Sequence, residues 1–260
     1  MQKMNIEFYV FSGTGNTKLV ADKIGERLVE LGHSVNFHKI DESTVCSLAD
    51  DSVLGIAFPV AFFTSYPLVL NFLSTLPDGK GRKVFLVGSM AGSGMGLEWY
   101  FKRVLKKKGY DPIGAELFLM PSNYNNNPIP LEMNEERVEA ALKRAVAFAD
   151  EISTGSATWK CGFPIITATW SSLMRSRLCT KLFYYLFPIK VDNTKCIKCM
   201  RCLENCPAKA IHLEEEFPKI DNKICESCQR CVGFCPTSAI YVKGKVSEQY
   251  RAMEFEDFHS

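Results

Sequence analysis

Net charge is almost absent from this 260-residue chain: 31 lysines and arginines stand against 29 aspartates and glutamates, so no global field draws it to nucleic acid or to an anionic membrane. It lacks any run of the ~18 apolar residues that a membrane-spanning helix needs. Met1–Val10 lacks the long apolar core of a secretory signal. Cysteine is scarce over the first 195 residues, where only Cys46, Cys161 and Cys179 occur, and this excludes a short disulfide-stapled secreted scaffold. Of the four histidines, 33, 38, 212 and 259, none stands beside a plausible nucleophile or at metal-ligand spacing. What is present is 47% apolar and 23% charged residues, the composition of a packed globular protein long enough for two domains. The other eight cysteines are crowded between Cys196 and Cys235. Thiols gathered in this way, with no export signal, imply a reducing cytoplasm and metal binding.

From Met4 to Thr154 strand and helix patterns alternate. Strands are expected at Asn5–Phe11, Ser34–His38, Val53–Phe58, Lys83–Gly88 and Ala115–Met120. Helices are expected at Asn16–Leu31, Pro67–Leu76, Gly96–Lys108 and Asn134–Ile152. Five strands separated by helices predict an α/β fold: a doubly wound parallel sheet with right-handed crossovers, for which the order 2-1-3-4-5 is one of few solutions. Residues 155–190 differ in character, with five basic side chains, no acidic ones and many aromatics. A helix is expected at Ser171–Leu186, either a linker helix packed between domains or a basic amphipathic surface for a membrane or an acidic partner.

The C-terminal part is a repeat. Lys195–His212 and Ile224–Tyr241 each contain C-x2-C-x2-C-x3-C-P, at Cys196, Cys199, Cys202, Cys206 and at Cys225, Cys228, Cys231, Cys235. Two-residue gaps let a chain wrap one corner of a cubane, and the proline ends the wrapping turn. In such paired runs the fourth cysteine ligates the other cluster. One cluster is thus assigned to Cys196, Cys199, Cys202 and Cys235, the second to Cys225, Cys228, Cys231 and Cys206. A Cys₄ zinc site has no need of the third closely spaced cysteine. Residues 191–243 resemble the bacterial two-[4Fe-4S] ferredoxins, an α+β domain, and the resemblance implies one-electron transfer through two clusters.

The first strand runs into Ser12-Gly13-Thr14-Gly15-Asn16-Thr17 and then a helix. The spacing is neither that of a P-loop nor that of the dinucleotide fingerprint. It offers hydroxyls from Ser12, Thr14 and Thr17 and amides from Gly15, Asn16 and Thr17 at a helix start, where a phosphate monoester fits. Two further loops share the carboxyl edge of the expected sheet: Phe58–Thr64, containing Pro59, Val60, Ala61 and Phe62, and Gly88–Gly94, containing Ser89, Met90, Ala91, Gly92 and Gly94. Residues 4–154 are similar to flavodoxins in these three loops. The resemblance implies FMN, with its phosphate on Ser12–Thr17 and its ring between Pro59–Phe62 and Ser89–Gly94. Many flavodoxins carry an aromatic residue where Met90 and Ala91 stand, so one ring face is left either to Tyr124, in the loop after the fifth strand, or to the ferredoxin half.

The whole chain resembles the flavodoxin–ferredoxin fusion proteins of anaerobes. Residues 1–154 are expected to be the FMN domain, 155–190 a linker, 191–243 the two-cluster domain and 244–260 a tail. The expected function is electron transfer between two [4Fe-4S] clusters and FMN, with an FMN-dependent reductase of an organic acceptor as the alternative. The expected partners are redox proteins such as an acidic ferredoxin or flavodoxin. They would dock on the basic 155–190 segment and the slightly basic two-cluster domain, where eight basic residues face seven acidic ones.

Overall fold

The computed structural model describes residues 3–61, 64–94, 96–123, 131–159, 188–243 and 250–259. The helix expected at Ser171–Leu186 lies outside the described residues, as do Phe62 and Tyr124. Five strands, β1 (Asn5–Val10), β2 (Ser34–Lys39), β3 (Val53–Pro59), β4 (Lys83–Met90) and β5 (Asp111–Leu119), form one sheet in the order β2-β1-β3-β4-β5. Every pairing in it is parallel. This is the flavodoxin-like doubly wound order.

Strand alternation divides the core between the two faces. On one face Tyr9, Leu54, Ile56, Phe58 and Leu86 meet helices α2 (Pro67–Thr75) and α3 (Leu97–Lys107) through Val69, Phe72, Phe101 and Leu105. On the other, Ile6, Phe8, Phe85 and Val87 meet α1 (Asn16–Glu30) and α4 (Leu131–Thr154) through Val20, Ile24, Ala145 and Phe148. Gly55 lets two rings close over β3: a Cβ there would lie 2.6 Å from Phe85 and 2.7 Å from Phe8. β5 begins four residues before the expected Ala115. It is an edge strand, so Pro112 interrupts no inner hydrogen-bond ladder. His33 is structural. Its Nδ1 accepts the Met4 N–H at 3.1 Å, Nε2 lies 2.6 Å from Ser153 Oγ, and burial lowers its pKa.

The C-terminal half folds as two hairpin-like ribbons, β6 (Ile189–Val191) with β9 (Ile240–Val242) and β7 (Ile211–Glu214) with β8 (Phe217–Ile220), both antiparallel. Its apolar core is small: Ile189, Ile211, Ile220, Val232, Ile240 and Val242. The two repeats share their backbone form. Left-handed residues recur at Lys198, Met200 and Lys209 in the first, and at Ser227, Gln229 and Ser238 in the second. This half is not a separate bead, because Ala208, Ala210 and Cys228 belong to the same apolar cluster as Tyr66 and Leu68 of the large sheet domain. Among the described residues no helix is long and apolar enough to cross a membrane.

Candidate functional site

Three loops at the carboxyl edge of the sheet, with the loop after β5, enclose a cavity of about 300 Å³, at the lower end of the range for small-molecule sites. Ser12, Gly13, Thr14, Asn16 and Thr17 line it from the first loop, Pro59, Val60 and Ala61 from the second, and Ser89, Met90, Ala91 and Gly92 from the third. Gly15 and Gly94 stand behind its wall. Gly15 caps α1 in the left-handed region (φ 103°) and faces Met253, while a Cβ on Gly94 would meet Leu117 at 2.3 Å. The site also takes in Ser93 from the third loop, Met120, Pro121, Ser122 and Asn123 from the loop that carries Tyr124, and Tyr66, which sequence reasoning missed.

The first loop is held by its own hydroxyls. Gly15 N–H donates to Ser12 Oγ at 3.2 Å, Thr17 Oγ1 and Ser89 Oγ are 2.7 Å apart, and Asn123 Nδ2 donates to Thr14 Oγ1 at 3.2 Å. Asn16 Nδ2 donates to the Pro121 carbonyl at 2.8 Å, so the first and last loops are fastened together. Helix α1 starts with no side-chain cap and no acidic residue in its first turn. Its free amides and positive dipole end therefore face the cavity, and the walls are neutral hydroxyls and small apolar groups. That donor set fits a phosphate monoester bearing a flat ring, as FMN does.

The cysteines fall into two groups. Cys196, Cys199, Cys202 and Cys235 ring one cavity together with Arg201 and Pro218, so the fourth cysteine of the second repeat joins the first three of the first. In the other group burial acts most strongly on Cys231, and the charges of Cys228, Cys225 and Cys206, and less strongly that of Cys202, act on it too, which accords with the reciprocal exchange. Backbone amides point at sulfur in both: Ala210 N–H to Cys206 Sγ and Ala239 N–H to Cys235 Sγ, each 3.3 Å, and Ser227 N–H to Cys225 Sγ at 3.4 Å. Burial and neighbouring thiolates push Cys202 up to about 11, and burial pushes Cys228 up to about 12. Four sulfur anions coexist in such surroundings only when positive charge lies among them, and iron supplies it; the donor set fits iron–sulfur ligation. Cys46, expected to be a small buried hydrophobe, packs half-buried against the core beside Tyr9.

The two sites touch. A Cβ on Gly13 would lie 2.2 Å from the Cys228 carbonyl oxygen, so the second cysteine loop rests directly on the first loop of the cavity. Arg230, between Cys228 and Cys231, donates from Nη2 (2.6 Å) and Nε (3.2 Å) to the Ser12 carbonyl. Glu42 N–H donates to the Pro207 carbonyl at 3.1 Å. The tail, expected at most to pack on the surface, seals this junction. Tyr250 Oη donates to Asn16 Oδ1 at 2.8 Å, and Ala252 N–H donates to the Thr14 carbonyl at 2.8 Å. Phe258 is buried against Phe234.

Comparison with known proteins gives the following. Residues 195–239 match the family model of the 4Fe-4S dicluster domain. No curated protein sequence matches the chain. Among solved structures, the Megasphaera elsdenii flavodoxin in its two-electron reduced form is 27% identical, covers 53% of this chain and 98% of its own, and has a TM-score of 0.40. A short-chain flavodoxin associated with a PDU bacterial microcompartment is 18% identical, covers 60% of this chain and 100% of its own, and has a TM-score of 0.44. The rubredoxin:oxygen oxidoreductase of Desulfovibrio gigas is 16% identical over 60% of this chain and 38% of its own, with a TM-score of 0.41. The chain thus joins a flavodoxin-like sheet to a 4Fe-4S dicluster domain.

Proposed function

We propose that this protein transfers electrons between two [4Fe-4S] clusters and an FMN held in the sheet-edge cavity. The observation that supports it is the contact of the Cys228 carbonyl with Gly13: the inner cysteine loop and the cavity share one wall. Ser12, Thr14 and the amides of Asn16 and Thr17 would hold the phosphate, and Pro59–Ala61 and Ser89–Gly92 would flank the ring. When bound, each cubane takes up one electron and FMN one or two, so the pairing suits conversion between single electrons and pairs. The chain's own part is to fix the distance and exclude water. Cys228, Ser227 and Gln229 are buried at the junction, while Cys199 at the outer site is exposed and open to a redox partner protein. The cysteine loop and the cavity loop are held together by the close approach of Cys228 to Gly13 and by the Arg230 guanidinium on the Ser12 carbonyl, and this fixes their separation.

The test is anaerobic. FMN- and iron-loaded protein is mixed with a one-electron donor protein, and flavin and cluster reduction are followed by absorbance and EPR. In wild type, flavin reduction should follow cluster reduction. In Cys206→Ser, which removes a ligand of the inner site only, the outer cluster should still be reduced while the flavin stays oxidised at least tenfold longer. Equal flavin rates in the two proteins would defeat the relay, and a protein that binds no FMN would defeat the reading of the cavity.

A further inference from the structure

Arg201 and Arg230 occupy the same position in the two repeats, each just before the third cysteine. The first turn of each short helix, Arg201–Glu204 and Arg230–Gly233, begins with that arginine after a left-handed residue, so the repeats deliver the two guanidinium groups in the same way. Each lies over a tail aromatic, Arg201 4.5 Å from the Phe255 ring centre and Arg230 5.0 Å from that of Phe258. There the equivalence ends. Arg201 is 40% exposed and has a carboxylate partner, Glu256, at 3.9 Å.

Arg230 is half-buried and lies between the rings of Phe258 and Phe11, the second at 5.6 Å. Its N–H groups go to backbone carbonyls only, Ser12 and, at 3.2 Å, Asn205. Among the described residues no carboxylate lies within ion-pair distance of it. The nearest acid to act on it, Asp41, is held by Ser43 and Thr44 instead. Burial disfavours its charge, and the negative groups that act on it most strongly are the thiolates of Cys228 and Cys206. A partly buried cation without a carboxylate partner needs another counter-charge, and the cysteine-held site, reached through the Asn205 carbonyl next to Cys206, is placed to supply it.

We propose that Arg230 makes the two clusters unequal: its cation, which has no carboxylate partner, stabilises the more negative, reduced form of the cluster held by Cys206, Cys225, Cys228 and Cys231, whereas Arg201, exposed and paired with Glu256, has a smaller effect on the outer one. The change it biases is the gain of one electron by the inner site, with no bond made or broken and no proton taken up. Its consequence is that the electron rests beside Gly13 rather than at the exposed site. Arg201 is exposed and its charge is met by Glu256, whereas Arg230 is less exposed and meets no carboxylate, so equal charges at equivalent positions act unequally. The proposal rests on the two-cluster reading above.

The experiment is an EPR-monitored redox titration of both clusters in wild type, Arg230→Gln, Arg230→Lys and Arg201→Gln. In Arg230→Gln the inner midpoint should fall by a tenfold change in its one-electron equilibrium, about 59 mV, while the outer midpoint stays in place. Arg230→Lys, which keeps the charge but loses the fork to Ser12, should keep most of the inner midpoint, and Arg201→Gln should move the outer midpoint by less than half of what Arg230→Gln moves the inner one. If the Gln and Lys variants shift alike, the role is structural and the proposal falls. It also falls if Arg230→Gln moves neither midpoint, although the relay would stand. Should Arg230→Gln fail to hold both clusters, Arg230→Met replaces it. Loss of the inner cluster in both neutral variants but not in Arg230→Lys still assigns the role to charge, and loss in all three overturns it. A wild-type protein with fewer than two cubanes would overturn both this inference and the relay.

Discussion

The two cysteine repeats share their four cysteines, the arginine before the third, the proline after the fourth and their left-handed backbone positions, yet their surroundings differ. In the first, Ile197 is 62% exposed and Cys199 faces solvent. In the second, Ser227, Cys228 and Gln229 are buried beneath the first loop of the large domain. The motif fixes what each loop can bind; the neighbour decides what the bound site can exchange electrons with. An internal duplication has thus been made into an outside and an inside by packing one copy against Gly13 and leaving the other at the surface.

The harshest way to break this comparison is to remove the iron from both sites at once. The apolar core of residues 188–243 has six members, and folding of such a small domain is coupled to its metal. Chelation should abolish amide-exchange protection at Ile189, Ile211, Ile240 and Val242 while Ile6, Ile56 and Val87 stay protected. Joint loss would mean that the cluster linking Cys228 to Tyr66 makes the two halves one cooperative unit. A sharper cut is Gly13→Ala. The added methyl has backbone, not a flexible side chain, in its path at 2.2 Å, and this should cost about 1–3 kcal/mol and loosen the inner loop, measured as a lower Cm and slower flavin reduction. Gly92→Ala, whose Cβ meets nothing within 4 Å, should leave stability unchanged. If the two alanines behave alike, the contact is not a constraint. Smallest is Tyr250→Phe, which deletes the bond to Asn16 Oδ1 and should cost about 0.5–1.5 kcal/mol, with weaker FMN retention on dilution; unchanged retention would show that the tail does not brace the loop.

The large sheet was legible because its strands and helices alternate with strong apolar periodicity, and each predicted element from β1 to α4 has its counterpart. The start of β5 was hidden because Asp111-Pro112-Ile113-Gly114 reads as a turn. An edge strand carries proline at no cost to its paired side, a fact of sheet position rather than of local sequence. Among the cavity residues, the first loop could be read from its hydroxyls and glycines. Tyr66 could not, because the start of helix α2 brings it in from outside the loops that follow the strands. Gly13 was legible as a turn glycine, but the reason it must be small is the Cys228 carbonyl more than two hundred positions later. The tail contacts of Tyr250 and Ala252 were invisible for the same reason: nothing local in residues 244–260 marks a surface that will meet Asn16 and Thr14.

The exchange of fourth cysteines also sets a timetable for biosynthesis. If Cys235 completes the set of Cys196, Cys199 and Cys202, and Cys206 that of Cys225, Cys228 and Cys231, the first repeat cannot fill its ligand set before the second has left the ribosome. The cavity loop at Ser12–Thr17 is made long before Arg230, Tyr250 and Ala252, which it later receives. On that assignment a nascent chain stalled between the repeats would present bare thiols with no completed site to shelter them.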